Sequence, residues 1–374
     1  MGGKRIISVV TNDLEGDQRI HKTALSLMKH GWEPMLVGRY LRDSQAIQRT
    51  YDTRRLKLIF NSGPLFYASI NIRLFLFLLF VRVDLILAND LDTLPAAWLV
   101  SRIRGKTLVF DSHEYFTEVP ELINRPRVQK IWKGIEGFLV PRLKNMITVN
   151  EEIASLFLKK YKIQPDVLMN LPLSVINAES PNEVPSGGNQ YTQILYQGAV
   201  NIGRGLEQMI AAMEYLPDHQ LTIVGGGDLL HKLRNKVSIL AWKDNIHFTG
   251  RLPFEKILAY AQKADIGLSL EQDMGLNYRL SLPNKLFDYM KAGLPVLASD
   301  LPVIRQLIKK LDIGLLIKQF DTQYLASAVR EMTKDSARYK KWQKNALDAA
   351  PDYSWESQEP LLLRIFEEAL LSSS

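Results

Sequence analysis

The sequence predicts an α/β protein built from two Rossmann-like, doubly wound domains that face a cleft. Three observations carry this expectation. Short β-branched or leucine-rich runs alternate with helical patterns along nearly the whole chain. The runs are continuously apolar, as strands covered on both faces must be. They also fall into two series, parted by the polar stretch NAESPNEVPSGGNQ at 177–190. Apolar strands separated by helices indicate parallel sheets, and two series indicate two layered domains. A chain of 374 residues is long enough for two such cores.

In the first series, strands are expected at Ile6–Thr11, Met35–Val37, Leu56–Phe60, Leu85–Ala88, Thr107–Phe110 and Met146–Val149. Helical patterns lie between them at Gln18–His30, Thr93–Arg104 and Val128–Leu143. The second series places strands at Ile194–Tyr196, Leu221–Val224, Ile246–Phe248, Ile266–Leu270, Val296–Ala298 and Gly314–Ile317. Two prolines and two glycines in 177–190 mark a loop or linker, so the domains are set at 1–175 and 176–356. A last helix at about 357–371 follows the PDYSW break and is a candidate to pack back on the first domain.

Composition narrows the classes. With 46% hydrophobic and 23% charged residues the chain is of globular type. It has no cysteine, which excludes disulfides and thiolate metal sites and is compatible with a reducing cytoplasm. The start MGGKRIISVVTND has too short an apolar run for a secretory h-region. The formal charge of +7 is uneven: residues 1–175 hold 25 Lys/Arg against 17 Asp/Glu, and the remainder 22 against 23. A basic first half suits an anionic partner, although a surplus of this size also arises by chance. The apolar segment from Ser69 to Asn89 is broken by Arg73, Arg82 and Asp84, too often for a span of roughly 20 apolar residues. It reads as a buried or partly exposed helix followed by a strand. The alternative is a helix lying on a membrane surface, with its arginines near lipid phosphates.

Ligands of open parallel sheets bind at the carboxyl ends of strands, so functional residues are expected in the loops there. After the first strand, TNDLEGDQRIHK offers Asn12, Asp13 and Gly16 in a loop, with Asp17 as a helix cap ahead of Arg19 and His21. No Gly-x-Gly-x-x-Gly fingerprint occurs there, which disfavours a nicotinamide-dependent oxidoreductase. Asn89, Asp90 and Asp92 follow the fourth strand. Asp111, His113, Glu114 and Glu118 follow the fifth. An imidazole beside carboxylates can transfer a proton or hold a sugar hydroxyl. No second histidine lies at ligand spacing, so no metal is expected.

The second series is richer in glycine and arginine. Gly198, Gly203 and Gly205 surround Arg204 at a helix start, a setting for phosphate. Gly225, Gly226 and Gly227 follow a strand directly and allow close backbone approach to a ligand, and Arg251 lies in the same row of loops. In SLPNKLFDYMKAGLPVLAS, Pro283 suits the first helical turn, while Ser281 and Asn284 can cap or donate. Lys285 adds charge at a positive helix end, and Asp288, one turn past Asn284, is placed for a ribose. The alternative is a surface Lys285–Asp288 pair.

These segments together resemble a family-4 (group 1) glycosyltransferase of GT-B fold, over nearly the whole chain. NDLEGDQRIHK, VFDSHEYFTE, the Gly198–Gly205 segment, IVGGGD, FTGRLP, ADIGLSL and PNKLFDYMKAGLPVLAS carry the likeness. The resemblance implies metal-independent, retaining transfer of a sugar from a nucleoside-diphosphate donor, with UDP or GDP expected and no cofactor required. The implied acceptor is a glycan or a polyprenyl-diphosphate-linked sugar in cell-surface polysaccharide synthesis, with no nucleic acid involved. The implied location is cytoplasmic, at the inner face of the plasma membrane, with peripheral contact to anionic lipid. By the same resemblance His113, Arg204 and Lys285 are the catalytic candidates. Gly16, Gly198, Gly225, Gly226, Arg251, Ser281, Asn284 and Asp288 are donor-binding, and Asp17, Arg19, Asp90 and Glu114 acceptor-side. Two positions depart from the family pattern: Leu280 stands where the first acid of Glu-x7-Glu is expected, and Ala199 where an Arg is frequent. A noncatalytic sugar-nucleotide-binding subunit and a GT-B sugar-nucleotide epimerase are the competing readings.

Overall fold

A computed structural model describes residues 3–42, 44–174 and 191–372; the linker expected at 177–190 lies outside them. The chain divides into two compact units, Met1–Asn170 with Gln358–Ser374, and Leu171–Ser357.

The first unit holds a seven-stranded sheet with every neighbouring pair parallel. Its strands are β1 Lys4–Val9, β2 Trp32–Tyr40, β3 Asp52–Lys57, β4 Leu85–Asn89, β5 Thr107–Ser112, β6 Asn145–Thr148 and β7 Asp166–Val167. They lie side by side in the order β3-β2-β1-β4-β5-β6-β7. The helices are α1 Gln18–Lys29, α2 Gly63–Phe80, α3 Leu94–Arg104, α4 Pro120–Ile123, α5 Pro126–Leu139 and α6 Glu151–Tyr161. Right-handed crossovers put α2, α3, α5 and α6 on one face of this sheet and α1 on the other. Beside α1 runs α15 Trp355–Leu371, whose residues from Gln358 onward count with this unit. Glu359 accepts from Ser26 Oγ at 2.7 Å, and Phe366 meets Trp32 edge-on with centroids 6.2 Å apart.

The second unit repeats the plan with six parallel strands in the order β10-β9-β8-β11-β12-β13. They are β8 Thr192–Gln197, β9 His219–Val224, β10 Ile246–Gly250, β11 Ile266–Ser269, β12 Val296–Ser299 and β13 Gly314–Ile317. Its helices are α7 Leu206–Ala212, α8 Leu230–Val237, α9 Phe254–Lys263, α10 Leu276–Arg279, α11 Lys285–Lys291, α12 Pro302–Leu311, α13 Thr322–Lys334 and α14 Ser336–Ala349.

Where element bounds differ from expectation, the causes are local. The strand expected at Leu56–Phe60 is instead β3, which pairs with β2 from Met35↔Asp52 to Tyr40↔Lys57. It is an edge strand, partly open along its length, so its residues DTRRLK lack the apolar run that marks a buried strand. The helix expected to reach Leu143 ends at Leu139, and a short 3-10 turn, Val140–Arg142, carries Pro141, which has no N–H to continue an α-helix. Two-residue β7 left no periodic signal at all.

Candidate functional site

In doubly wound sheets the strand order reverses at one point, and the loops there open a crevice at the strands' carboxyl ends. In the second unit this point lies between β8 and β11, in the first between β1 and β4.

At the second unit's switch point, β11 runs into Leu270 and Glu271, and Glu271 is fully buried. Its Oε1 accepts from Lys285 Nζ at 2.9 Å and Arg204 Nη1 at 3.3 Å; its Oε2 accepts from Ser269 Oγ at 2.6 Å. Burial works against ionisation of Glu271, but Lys285 and Arg204 outweigh it and hold the carboxyl below its ordinary range. Lys285 is itself buried, with Nζ 4.1 Å from the Tyr196 ring centroid, and the Arg204 guanidinium lies 4.6 Å from that of Tyr278. Two cations share one carboxylate, which leaves one positive charge in excess. That is an anion-binding arrangement. The surface Lys285–Asp288 pair weighed as an alternative is thereby corrected: Lys285 is turned inward to Glu271.

Glycines shape the floor of this site. Gly198 has φ 128°, and a Cβ there would stand 3.5 Å from Lys285 Cε. Gly225 has φ 146°, and its Cβ would lie 1.9 Å from the Gly198 carbonyl oxygen, so the two loops touch through bare backbone. The Arg251 side chain passes over Gly226, 2.8 Å from where a Cβ would sit. The structure therefore brings Gly198, Gly225, Gly226, Arg251 and Lys285 into adjoining loops.

The helix α11 begins at Lys285, with Pro283 just outside it and exposed Asn284 at the cap without a side-chain cap bond. The expected capping role of Asn284 is thus not made. Ser281 Oγ instead donates to the Tyr278 carbonyl at 2.9 Å. Asp288 accepts from Gln197 Nε2 at 2.6 Å, and Gln197 Oε1 is buried without a partner among the described residues. Tyr289, on the same helix, donates within reach of the carbonyls of Leu195 and Leu268, tying β8 to β11.

In the first unit, His113 Nε2 meets Asp90 Oδ2 at 2.9 Å. Asp90 is a non-glycine residue in the left-handed region, φ 60°. Its N–H donates to the Asp111 carbonyl at 2.9 Å, which holds it there. The other polar atoms of the pair, His113 Nδ1 and Asp90 Oδ1, are buried and unpartnered among the described residues. Burial would lower the His113 pKa, but the Asp90 carboxylate and its hydrogen bond, with Asp111 behind, raise it to about 10. Asp92 next door accepts from Thr11 Oγ1 at 2.7 Å; burial, then the charge of Asp90, pushes its pKa up to about 7.

The remaining first-unit candidates separate. Arg19 is a candidate expected on the acceptor side. It is buried, with Nε and Nη2 on Asp111 at 2.7 and 2.9 Å and Nη1 on the Leu168 carbonyl at 3.0 Å. Asp17 caps α1 through Ile20 N–H at 3.2 Å and receives Asn12 Nδ2 at 2.7 Å. Gly16, expected on the donor, is exposed with open space at its Cβ position, and Glu114 is also exposed. Sequence reading gave no role to Gln197, Tyr289 or Asp92, and did not seat Glu271 between the two cations. The available signal for Glu271 was an acid immediately after an apolar strand at a switch point.

Two all-parallel doubly wound units make up the GT-B fold. Residues 182–348 match the family described as Glycosyl transferases group 1. Among curated proteins it is 27% identical over 169 residues to the phosphatidyl-myo-inositol mannosyltransferase of Mycobacterium leprae, covering 45% of this chain and 43% of that one. It is 30% identical over 139 residues to the amylovoran biosynthesis glycosyltransferase AmsK of Erwinia amylovora, covering 37% and 33%. The chain thus spans less than half the length of these relatives. Among solved structures it is similar to a sucrose-phosphate synthase from Thermosynechococcus elongatus, with TM-score 0.81, 18% identity and coverage of 99% and 100%. The Anabaena HepE protein in complex with UDP-glucose aligns with TM-score 0.73, 13% identity and coverage of 97% and 99%. At such identities these structures show the fold.

Proposed function

We propose that the protein is a retaining glycosyltransferase that moves a sugar from a nucleoside-diphosphate donor, UDP- or GDP-linked, to a glycan or lipid-linked acceptor in cell-surface polysaccharide synthesis. One observation carries the reading: the excess positive charge of Arg204 and Lys285 around buried Glu271. As the bond from sugar to diphosphate breaks, negative charge builds on the leaving group. Fixed cations already in place stabilise it without reorganising. Glu271 keeps the two cations together, while the bare backbone at Gly198 and Gly225 admits phosphate. Asp288, oriented by Gln197, takes ribose hydroxyls. In the first unit, His113 offers Nδ1–H to a sugar hydroxyl. Its bond to Asp90 keeps it cationic and oriented. No metal or cofactor is required in this scheme. The enzyme works on the cytoplasmic side of a membrane that carries its acceptor. The relative named an amylovoran biosynthesis glycosyltransferase and the neighbour bound to UDP-glucose support polysaccharide synthesis and a nucleotide-sugar donor.

A panel of UDP- and GDP-sugars assayed with EDTA, with the product anomer read by NMR, tests this. Lys285→Ala and Arg204→Ala are each expected to lower kcat by about 100-fold or more. Full turnover by both variants would overturn the charge-stabilisation scheme. Inversion at the anomeric carbon would overturn retention. Nucleotide binding with no transfer would favour a noncatalytic sugar-nucleotide-binding subunit.

A further inference from the structure

We propose that Arg19 and Asp111 form a positioning pair that holds Asp90 and His113 in their working orientation in the first unit. The pair is sealed in the core, its two side chains 3% and 5% exposed. Arg19 Nε and Nη2 donate to the two carboxylate oxygens of Asp111 at 2.7 and 2.9 Å, a two-pronged contact that a lysine could not reproduce. Its third arm, Nη1, donates to the Leu168 carbonyl at 3.0 Å, just past β7. A buried ion pair adds little to stability beyond what apolar side chains of the same size would give. What it supplies here is a fixed geometry for the residues bonded to it.

Short contacts lead from the pair to His113. Asp111 lies on β5, opposite Asn89 of β4. Its carbonyl accepts the Asp90 N–H at 2.9 Å, one residue past that rung. Asp90 thereby sits in the left-handed region, φ 60°, which a non-glycine residue keeps only where its surroundings over-determine it. Thr93 closes the turn from the other side, its N–H and Oγ1 donating to the Asp90 carbonyl at 3.3 and 3.2 Å. The turn aims the Asp90 carboxylate at His113 Nε2, 2.9 Å away. His113 itself follows Asp111 by two residues at the end of β5.

Charge gives the pair a second effect on the same ring. Asp90 and Asp92 face His113 from the loop after β4, Asp111 from β5 and Arg19 from α1. Burial acts to lower the His113 pKa; the Asp90 charge and hydrogen bond, then Asp111, raise it, and Arg19 opposes them. Arg19 occupies both oxygens of Asp111 and so keeps that carboxylate from competing with Asp90 for the imidazole. Nε2 stays on Asp90, and Nδ1, which has no partner among the described residues, is left for a ligand. The inference rests on the transferase reading for the use made of His113; the bonds that carry it do not.

Titration of the His113 imidazole by NMR in histidine-labelled full chain tests it, with His113→Gln assigning the signal among the six histidines. Asp111→Asn removes the carboxylate but leaves Arg19, and is expected to lower the His113 pKa by about one unit or more. Arg19→Met combined with Asp111→Asn removes both charges and should bring the pKa back toward the parent value. Arg19→Lys keeps the charge without the two-pronged grip, so the pKa should stay near the parent value. Both Arg19→Lys and the double variant should lower kcat about tenfold or more with donor KM unchanged, because the ring is misplaced while donor binding is not. The double variant leaves no buried charge unpaired, so it decides the matter if Asp111→Asn does not fold. An unmoved His113 pKa in folded Asp111→Asn, or full kcat in Arg19→Lys or the double variant, would overturn the proposal and leave the pair a core contact only. If the parent transfers no sugar, the transferase reading fails by itself, and the titration still decides whether the pair governs His113.

Discussion

Asp92 shows how one side chain can couple stability to pH. Its folded pKa of about 7 lies above the ordinary 3.8, through burial and then the neighbouring Asp90. The folded state therefore holds a proton that the unfolded chain has released. The stability so gained is complete below about pH 4 and is lost as pH rises through 7, at up to about 1.4 kcal/mol per pH unit in between. Asp92→Asn should flatten this fall. Urea midpoints of parent and variant between pH 5 and 8 are expected to diverge, the variant becoming relatively more stable at the alkaline end. His113 has the same sign at higher pH, its contribution present below about 6.5 and lost as pH rises through 10. Identical pH slopes in parent and variant would remove Asp92 as the cause. At this scale the sequence supplied the residue types but not their states. An Asp two positions from another Asp in NDLDT carries no sign of which one is sealed in.

Elements were legible in proportion to how completely they are buried. Apolar runs found β4, β11 and β12 nearly to the residue because every residue there is buried; the edge strand β13 is half-buried and was found because its sequence GLLI is apolar all the same. The edge strand β3 escaped because exposure lets it be polar. Loop geometry was legible where glycine was compulsory. The triple glycine after β9 is expected to allow close backbone approach to a ligand; within the protein, Gly225 closely approaches the Gly198 carbonyl oxygen. Gly225→Ala would combine an unfavourable φ with a backbone clash. It is expected to cost about 1–3 kcal/mol or more and to weaken nucleotide binding in the same variant. Denaturant midpoints and calorimetric titration with UDP and GDP measure both, and an unchanged midpoint would show that the loops can part.

For the whole molecule, the returning helix α15 decides how the first unit is closed. Phe366 is fully buried, and Lys29 Nζ reaches Glu359 at 3.2 Å beside the Ser26 bond. Phe366→Ala should destabilise by about 3–5 kcal/mol, because it empties space against Trp32. Thermal melts following tryptophan fluorescence would report that loss, and a shift near zero would mean that the helix is not needed for the unit's core. The sequence by itself determined the alternation of strand and helix, the two doubly wound series, and the loops in which chemistry must lie. These follow from local periodicity, which a linear chain displays directly. Only the tertiary structure decided that Arg204 and Glu271, 67 residues apart, meet at the same carboxylate as Lys285, 14 residues further on. That meeting exists because β8 and β11 are neighbours in the sheet, and strand order is a property of packing that no single stretch of residues encodes.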